Sequence, residues 1–372
     1  MLGVKYCGTF QDYSGYGDAN RMDICALFMA GVNVTTESIR QVGEKSNYGI
    51  PENISVGLED RSIPYKVKIL HITPDMYPRY KEVGIYNIGR LAWETDRLPN
   101  VWIAACNEMQ EIWTMSEKMA DMIRKSGVRK PVSVFPEPIF TPKGEEFIQA
   151  LETQYQKDFF FYSIFQWIPR KNPRALLHAY WRTFEGNDNV TLLLKTYRVN
   201  YSEGEFHLLK EELEGFRKEL DLKHYPKIYL IPKLMTNNEM WRLHATGDCY
   251  VTSSSGEGFN RPLQEAMLIG RPSISGNNGG ITDWLTDNEY FSVKSHPVPV
   301  VVVNHIAWYQ PPQQWLDVDV SELGRKMLMV YSNMEHAKEI GQNAKRFVTD
   351  RFSWQRVVDE MRKRLEMIYK SL

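Results

Sequence analysis

Residues 253–285, SSSGEGFNRPLQEAMLIGRPSISGNNGGITDWL, carry the pattern that best predicts the fold of this 372-residue chain. A glycine-rich loop follows a strand and leads into a helix. A second strand is then followed by a second glycine-rich loop and another helix start. Pro262 suits the first turn of the helix, and Gly270 suits its end. Loops of this kind at the carboxyl ends of parallel strands are where open α/β sheets bind ligands.

Two glutamates in this stretch have the spacing E-x7-E. Glu257 lies in the first loop, and Glu265 lies one turn into the helix. A carboxylate early in a helix can accept hydrogen bonds from both hydroxyls of a ribose, and a second carboxylate in the loop can hold hydroxyls of a transferred group. Backbone N–H groups of the loop at 277–280 can hold a diphosphate. Each glutamate alone is more typical of a solvated surface acid with a capping role, but together with the two loops the pair favours a binding site.

Apolar strands alternate with amphipathic helices on both sides of this stretch. The clearest strand of the first half is 65–72, YKVKILHI, and the second half has 159–165, FFFYSIF, and 190–197, VTLLLKTY. Continuous apolar strands between helices indicate parallel sheets that are covered on both faces. We therefore expect an α/β protein with two Rossmann-like domains that face each other across a cleft.

The expected boundary between these domains is a polar segment at about 139–157, which begins with prolines and a glycine and is typical of a linker. The N-terminal domain is thus predicted at 1–150 and the C-terminal domain at 151–352. A long amphipathic helix at about 353–372 follows the second sheet. The apolar run at 298–308, VPVVVVNHIAW, is short and interrupted by polar residues, so it is predicted to be a buried strand.

Composition limits the possible functions. With 43% apolar residues, 24% charged residues and a net charge of −1, the chain is typical of a globular protein and has no electrostatic basis for binding nucleic acid. No signal peptide or membrane span is predicted, so the expected location is cytoplasmic. The basic segment 124–130, RKSGVRK, is predicted to be a solvated helix end, with a weak peripheral membrane contact as the alternative. Four scattered cysteines are expected to be reduced thiols: Cys7, Cys25, Cys106 and Cys249.

The segment 13–21, YSGYGDANR, is similar to the G-x-G-x-x-G turn of dinucleotide-binding proteins, and Glu37 follows at about the expected distance. Three details argue against a nicotinamide or flavin oxidoreductase. Asn20 replaces the third glycine, six or seven residues separate the strand from Gly15, and Glu37 has no clear position at a strand end. The loop around Gly15 and Gly17 still offers backbone N–H groups at a helix start, which suit an anion or a close approach of substrate.

The segment 257–272, EGFNRPLQEAMLIGRP, resembles the E-G-F-G-x-P-x-x-E-A-M-x-x-G-x-P pattern of the retaining glycosyltransferases of family 4, the group 1 type with the GT-B fold. Every fixed position matches except Asn260, which stands where glycine is usual. Asparagine tolerates a left-handed backbone better than other non-glycine residues, so the loop shape is expected to survive. The segments 169–180 and 231–251 resemble the basic motif of the family and the region that flanks the nucleotide base.

The resemblance is strong over most of residues 160–290 and loose over the first domain. It implies that the helix at 353–372 returns to the N-terminal domain. It also implies that Glu265 binds the ribose diol, that Glu257 contacts the donor sugar or the reacting region, and that Lys171 neutralises the diphosphate leaving group. No metal and no cofactor are implied.

Other donor contacts follow from the same resemblance. The family usually has an arginine about six residues before this lysine, and Phe165 is near that position here. Lys195, with Arg198 behind it, is the candidate replacement, although a solvated surface charge is an equal alternative for each basic residue alone. The remaining predicted donor contacts are Arg170, Gly258, Phe259, Asn260, Gly279, Gly280 and Ile281.

In the first domain, the loop with Gly15 and Gly17 resembles the family's glycine loop near the donor phosphate and the acceptor. The family commonly has a histidine at the end of a later strand, and this chain has Glu94 near that position. His71, at the end of another strand, is the second candidate, with a purely structural role as the alternative. The predicted catalytic residues are therefore Glu257, Lys171, Glu94 and His71.

The expected function is the transfer of a sugar from a nucleotide-sugar donor to a sugar, glycan or glycolipid acceptor in polysaccharide or glycan biosynthesis. The resemblance implies retention of anomeric configuration without a metal ion. Two alternatives stay open, a nucleotide-sugar epimerase of the GT-B type and a non-catalytic protein that binds nucleotide sugars. The sequence does not indicate the base, the sugar, the acceptor, the linkage or the oligomeric state.

Overall fold

The structure is a computed structural model that describes residues 2–12, 14–39, 58, 62–140, 158–302 and 306–372. The chain forms two compact units, Met1–Phe140 together with Thr349–Leu372, and Thr141–Val348. Each unit contains a six-stranded sheet whose recorded strand pairs are all parallel. The predicted α/β class with two Rossmann-like domains is thus confirmed. Residues 141–157 of the predicted linker lie outside the described residues.

The sheet of the first unit has the strand order β2-β1-β3-β4-β5-β6. All five residues of the central strand β3 are buried, as expected for a strand that is covered on both faces. The strands are β1 (Gly3–Gly8), β2 (Asn33–Ser38), β3 (Val67–His71), β4 (Tyr86–Arg90), β5 (Glu111–Thr114) and β6 (Val132–Val134). The helices are α1 (Gly15–Met29), α2 (Tyr77–Tyr80), α3 (Asn100–Asn107) and α4 (Glu117–Lys125), with a 3-10 turn at Pro74–Met76.

The sheet of the second unit has the strand order β12-β11-β10-β7-β8-β9. Its strands are β7 (Phe159–Gln166), β8 (Val190–Tyr197), β9 (Lys227–Ile231), β10 (Cys249–Val251), β11 (Ser273–Gly276) and β12 (Phe291–Val293). The helices are α5 (Pro173–Thr183), α6 (Glu203–Lys218), α7 (Asn237–Thr246), α8 (Arg261–Leu268), α9 (Val320–Ser332) and α10 (Met334–Arg351), with 3-10 turns at Pro169–Lys171 and Gly280–Trp284.

The described residues of the valine-rich run, 298–302 and 306–308, do not form a buried strand, so that prediction is wrong for them. The first two residues of the run, 298 and 299, are the last two residues of strand β13 (Ser295–Pro299). This strand pairs antiparallel with β14 (Gln314–Val318) in a separate two-stranded sheet. Val301 is 53% exposed and Val302 is 60% exposed. The two-stranded sheet of β13 and β14 is separate from the six-stranded parallel sheet. Val301 and Val302 therefore lie outside the layers of strands and helices that bury the apolar residues of that sheet.

The last helix, α11 (Trp354–Ser371), packs on the first unit, which confirms the predicted return of the C-terminal helix. Its apolar side chains share a core with β1 and α1. Arg364 forms a bidentate ion pair with the fully buried Glu111, at 2.7 Å and 3.0 Å, and the Tyr369 hydroxyl accepts a hydrogen bond from Gly3 N–H at 3.1 Å. The buried residues are Val357, Val358, Met361, Leu365 and Ile368.

Glu37 is the fifth of six residues in β2, so the expectation that it has no position near a strand end is wrong. The polar composition of this strand hid it from the hydrophobic pattern. The Glu37 carboxylate lies 2.8 Å from Nζ of Lys68 and 3.1 Å from Nζ of Lys5. Burial would raise the pKa of Glu37, but the two lysines outweigh burial and hold it below its usual value. This carboxylate is engaged with Lys5 of β1 and Lys68 of β3, which leaves it poorly suited to bind a ribose.

Candidate functional site

The loop after β10 is bound to the 3-10 turn that precedes α5. The N–H of Ser255 donates to the carbonyl of Arg170 at 2.7 Å, and the Ser253 hydroxyl donates to the carbonyl of Asn172 at 2.8 Å. In return, the guanidinium of Arg170 donates to the carbonyl of Gly256 at 2.5 Å. These bonds fix the GEGF loop and the RKN turn, about 85 residues apart in sequence, as one structure at the carboxyl ends of β7 and β10.

Lys171 and Glu257 form an ion pair at this junction. Nζ of Lys171 donates to Oε1 and Oε2 of Glu257 at 2.6 Å and 2.8 Å, and a guanidinium nitrogen of Arg170 lies 3.6 Å from Oε2. Glu257 is only 6% exposed, and burial would raise its pKa. Lys171 and Arg170 outweigh burial and lower the pKa of this carboxyl, so it is ionised at neutral pH.

Asn260 begins the helix that carries Glu265. Its backbone is left-handed, with φ 71° and ψ 63°, and α8 starts at the next residue. The expectation that asparagine preserves the loop shape in place of glycine is therefore confirmed. Pro262 lies in the first turn of α8, and Gly270, with φ 81°, follows the end of the helix.

Glu265 has an internal donor for each carboxylate oxygen. The guanidinium of Arg261 donates to Oε1 at 3.3 Å, and Nε2 of His244 lies 3.2 Å from Oε2. Burial would raise the pKa of Glu265, but the hydrogen bond from His244 and the charge of Arg261 lower it. The side chain is still 18% exposed, so solvent and ligands can reach the carboxylate.

The two predicted carboxylates both act electrostatically on one buried tyrosine. Both Glu257 and Glu265 raise the pKa of the buried Tyr250 hydroxyl, after burial itself as the larger cause. Tyr250 belongs to β10, the strand from which the GEGF loop leaves. The structure therefore brings the two members of the E-x7-E pattern to the same end of the second sheet.

The second glycine-rich loop packs against the first. The N–H of Glu257 donates to the carbonyl of Asn278 at 3.2 Å, and the N–H of Ile281 donates to the carbonyl of Phe259 at 2.8 Å. Gly279 and Gly280 have φ values of 100° and 66°, and a Cβ on Gly280 would lie 2.7 Å from the Phe259 backbone. Among the described residues, no acceptor faces the N–H groups of these two glycines, whereas the N–H of Ile281 is already used.

Lys195 and Arg198 are not joined to this junction. Lys195 is buried at the end of β8, where its Nζ donates to the Tyr201 hydroxyl at 2.9 Å and lies 4.5 Å from the centre of that ring. Burial, reinforced by Lys233, lowers the pKa of Lys195 to about 8. Within the described parts of the chain, no ion pair or hydrogen bond connects Lys195 with Lys171 or Glu257.

Arg198 lies further along the same strand end. Its Nε is 3.8 Å from a carboxylate oxygen of Glu205, and its carbonyl accepts a hydrogen bond from Gln166 at 2.8 Å. Phe165, which stands where the family usually has an arginine, is part of β7, and its ring stacks on Trp167. Arg198 therefore does not join the residues around Lys171, and Phe165 supplies no positive charge in place of the arginine that the family usually has.

The two glycines in the glycine loop of the first unit differ in the space around them. Gly17 has no room for a side chain, because a Cβ there would overlap the carbonyl oxygen of Asp12. Gly15, the first residue of α1, has open space around it. The Ser14 hydroxyl caps the helix by accepting a hydrogen bond from the N–H of Gly17 at 3.1 Å.

His71 lies inside a buried polar cluster of the first unit. Its Nδ1 is 2.6 Å from the Tyr6 hydroxyl and 3.5 Å from Asp23, whose carboxylate also pairs with Arg90 at 2.5 Å. Burial lowers the pKa of His71, so its ring is neutral at pH 7. The ring of Tyr16 lies 5.4 Å from that of His71.

Glu94 is half-buried in the loop after β4. The pKa of the Tyr16 hydroxyl is raised, chiefly by burial and also by Glu94. His71 thus lies beside Tyr16 at the start of α1, and Glu94 acts electrostatically on the same tyrosine.

The sequence interpretation missed His244 and Arg261 as partners of Glu265. Arg261 lies four residues before Glu265, the spacing of an i,i+4 pair on a helix, and this was the available signal. His244 lies on a different helix, and nothing in the sequence relates it to Glu265. Within the described residues, no group of three or more His, Cys, Asp or Glu side chains could hold a metal ion, and no helix is long and apolar enough to cross a membrane.

The architecture is shared with solved structures. HepE of Anabaena, solved with UDP-glucose, is 13% identical over the full length of both chains, with a TM-score of 0.67. Sucrose-phosphate synthase of Thermosynechococcus elongatus is 12% identical over the full length of both chains, with a TM-score of 0.68. A variant of TarM from S. aureus, solved with UDP, is 14% identical over 80% of this chain and 55% of that chain, with a TM-score of 0.58. No protein-family model and no curated sequence matches the chain. At these identities the likeness establishes the fold, and the chain accordingly has the GT-B fold.

Proposed function

We propose that this chain is a glycosyltransferase that uses a nucleotide-sugar donor, and that the second unit binds the donor. The observation that carries the proposal is the junction of the GEGF loop with the RKN turn. There a buried, ionised Glu257 holds Lys171, with Arg170 beside it. The solved structures of HepE with UDP-glucose and of TarM with UDP have the same fold, which supports a donor of this class.

Lys171 and Arg170 are suited to the leaving group of such a reaction. Two phosphates gain negative charge as the glycosidic bond breaks, and cations that are already in position oppose this increase. Arg170 is oriented by its bond to the carbonyl of Gly256, and Lys171 by Glu257. Because these side chains supply positive charge, we propose that the reaction needs no metal ion.

Glu257 has two roles in this proposal. In the unliganded protein it keeps Lys171 extended toward the loop. When a diphosphate competes for Lys171, the carboxylate becomes able to accept hydrogen bonds from hydroxyls of the donor sugar. The unused N–H groups of Gly279 and Gly280 can bind phosphate oxygens, since successive backbone N–H groups make an anion-binding concavity.

Glu265 is the proposed ligand of the ribose. Its carboxylate is ionised and partly exposed, and it acts electrostatically on Tyr250, as Glu257 does. A ribose presents two adjacent hydroxyl donors, and an ionised carboxylate has two oxygens with free acceptor directions even after Arg261 and His244 have donated.

We further propose that transfer retains the anomeric configuration. The acceptor hydroxyl attacks the anomeric carbon from the face that the diphosphate leaves, and its proton passes to a phosphate oxygen of the leaving group. The new bond to the acceptor oxygen and the broken bond to phosphate balance without a further reactant. The acceptor is proposed to be a sugar, glycan or glycolipid, with the loop at Gly15 taking part in transfer.

A thermal-shift screen with UDP-, GDP-, ADP- and dTDP-sugars tests the donor. We expect stabilisation by at least one of them, followed by slow hydrolysis of that donor with and without EDTA. The anomeric configuration of the released or transferred sugar is then read by NMR.

The outcomes separate the proposal from its alternatives. No stabilisation by any nucleotide sugar contradicts it. Conversion of the donor to an epimer in the absence of acceptor indicates an epimerase, and binding without any turnover indicates a non-catalytic protein. Loss of activity with EDTA contradicts metal independence.

A further inference from the structure

His244 lies between two hydrogen-bonding partners in the core of the second unit. Its Nδ1 is 2.9 Å from the hydroxyl of Tyr162 on β7, and its Nε2 is 3.2 Å from Oε2 of Glu265 on α8. The ring is fully buried near the C-terminal end of α7. Three separate elements of the fold therefore meet at one imidazole.

Only one neutral tautomer of His244 suits both neighbours. With the proton on Nε2, the ring donates to Glu265 and its Nδ1 accepts from the Tyr162 hydroxyl. With the proton on Nδ1, the lone pair of Nε2 would face an ionised carboxylate, which is repulsive. The Glu265 carboxylate, which can only accept, therefore selects the Nε2–H tautomer, and the Tyr162 hydroxyl satisfies Nδ1 by donating to it.

We propose that His244, with its Nδ1 bonded to the Tyr162 hydroxyl and its Nε2–H donated to Glu265, is a positioning residue that orients the Glu265 carboxylate toward the two hydroxyls of a ribose. The inference rests on the proposed donor site and concerns its ribose contact. His244 itself does not touch the ligand. It acts by donating to Oε2 of Glu265, while the Arg261 guanidinium donates to Oε1 at 3.3 Å.

The arrangement determines both the orientation and the charge of Glu265. Burial alone raises the pKa of this carboxyl, and His244 and Arg261 reverse the effect. A protonated carboxyl would lose acceptor capacity and could not accept equally from two hydroxyls. Without the His244 donor, a folded protein would therefore bind a nucleotide but would discriminate poorly between ribose and a sugar that lacks these hydroxyls.

The other titratable or charged groups near this relay are few, and each belongs to a neighbouring element. Tyr250 of β10 has its ring 5.3 Å from that of Tyr162 and 6.5 Å from that of His244. Arg271, after α8, donates to the backbone carbonyl of His244 at 3.1 Å. Arg261 of α8 pairs with Glu265, and Cys249 of β10 adds to the effect of burial in raising the pKa of the Tyr162 hydroxyl.

The test compares the affinity for UDP with that for 2′,3′-dideoxy-UDP by calorimetry, in the wild type and in three variants. His244→Phe keeps a ring without a donor, and His244→Gln keeps an N–H near the position of Nε2. Tyr162→Phe removes only the hydroxyl that bonds Nδ1 of His244 and leaves the Nε2 contact to Glu265 in place. If GDP or ADP is the nucleotide that stabilises the protein, it and its dideoxy form replace the uridine pair. Stabilisation by dTDP alone, which lacks the 2′-hydroxyl, overturns the contact to two ribose hydroxyls.

We expect His244→Phe to weaken UDP binding about tenfold, as loss of a charge-assisted hydrogen bond predicts, with little change for dideoxy-UDP. His244→Gln should restore most of the preference for ribose. The preference of Tyr162→Phe should lie between those of His244→Phe and His244→Gln. The affinity of His244→Phe for UDP should also fall more steeply than that of the wild type as pH is lowered from about 7.5 to about 5.5, since burial then acts on Glu265 without its donor.

Three results decide the proposal. Equal weakening for both nucleotides, or no change for either, assigns His244 a structural role only and overturns it. A ¹⁵N spectrum that shows the Nδ1–H tautomer in the wild type also overturns it, whether or not a nucleotide binds. Absence of nucleotide binding by the wild type instead contradicts the proposed function. If His244→Phe does not fold, Tyr162→Phe and His244→Gln still give the comparison.

Discussion

Lys171 and Glu257 are 86 residues apart in sequence, and the lysine Nζ lies within 2.8 Å of both oxygens of the carboxylate. The pair is nearly inaccessible to solvent on the Glu257 side, and Arg170 lies 3.6 Å from the same carboxylate. A cation that is held in this way is ready for an incoming diphosphate.

Replacing Lys171 with alanine should lower kcat by roughly 10²–10³, because a preorganised cation that opposes charge on the leaving group is lost. Steady-state kinetics with the donor found in the screen provide the measurement. Arg174→Ala is the matched control, since Arg174 is an exposed cation at the start of α5 that pairs with Glu219. A similar loss of kcat in both variants would show that general surface charge, and not Lys171, is responsible.

Glu265 and Glu257 should have different effects when each is changed to alanine. We expect Glu265→Ala to weaken donor binding, because the ribose ligand is removed. Glu257→Ala should chiefly reduce turnover, because the contact to the reacting region and the orientation of Lys171 are lost. Calorimetric affinities and kcat are measured for both variants. Equal loss of affinity in the two contradicts this division of roles.

The two glycines of the first loop should respond differently to valine. Gly15→Val should leave the fold intact, since there is open space around Gly15, and should reduce transfer with a much smaller change in nucleotide affinity. Gly17→Val should fail to fold, since its Cβ would overlap the carbonyl of Asp12. Circular dichroism and transfer assays distinguish these outcomes. Strong loss of nucleotide binding in Gly15→Val would return this loop to consideration as a nucleotide site.

Arg364→Ala should destabilise the first unit by about 1.5–3 kcal/mol, because charge-assisted hydrogen bonds to a buried carboxylate are lost, while Trp113, Ser133 and Tyr86 still donate to Glu111. Glu111 is fully buried, and Arg364 of α11 binds both of its oxygens. Arg362→Ala, which breaks an exposed pair with Glu366 on the same helix, should cost about 0.5 kcal/mol or less. Urea denaturation of both variants is the measurement, and equal midpoints would contradict the role of Arg364.

Lys195 should make stability depend on pH in alkaline solution. Its folded pKa is lowered to about 8 from 10.5, so the unfolded chain binds more protons between these values. The free energy of unfolding should therefore rise with pH through this window, by an amount on the order of 3 kcal/mol for the whole shift. Lys195→Met should be more stable than the wild type at pH 7, and the difference should shrink toward pH 10. A constant difference between the two proteins would contradict the lowered pKa.

Much of the fold and part of the site follow from local sequence. Apolar strands between amphipathic helices predicted the two parallel sheets, because burial on both faces requires continuous apolar residues. The GEGFNRP segment predicted the loop and the start of α8. Asn260 has a left-handed backbone, which confirms why asparagine can replace glycine at this position. Local conformational preferences act within a few residues, so a short pattern is sufficient to reveal them.

The hydrophobic pattern gave wrong predictions for two segments whose composition does not match their position in the fold. The strand β2 is polar and was missed, although it places Glu37 against Lys68. The valine-rich run after β13 was predicted to be buried, yet the parallel sheet was already complete and Val302 is exposed. Whether a strand joins a sheet depends on which edges and faces remain free, and no local segment contains that information.

The sequence by itself determined which residues can do chemistry and the shape of the loops that carry them, including Glu257, Glu265 and Lys171. Only the tertiary structure decided their partners. It joined Lys171 to Glu257, placed His244 against Glu265, and kept Lys195 with Tyr201 and away from the junction. Side-chain pairing across a fold depends on distances of a few ångströms between elements far apart in the chain, and those distances arise only when the elements pack.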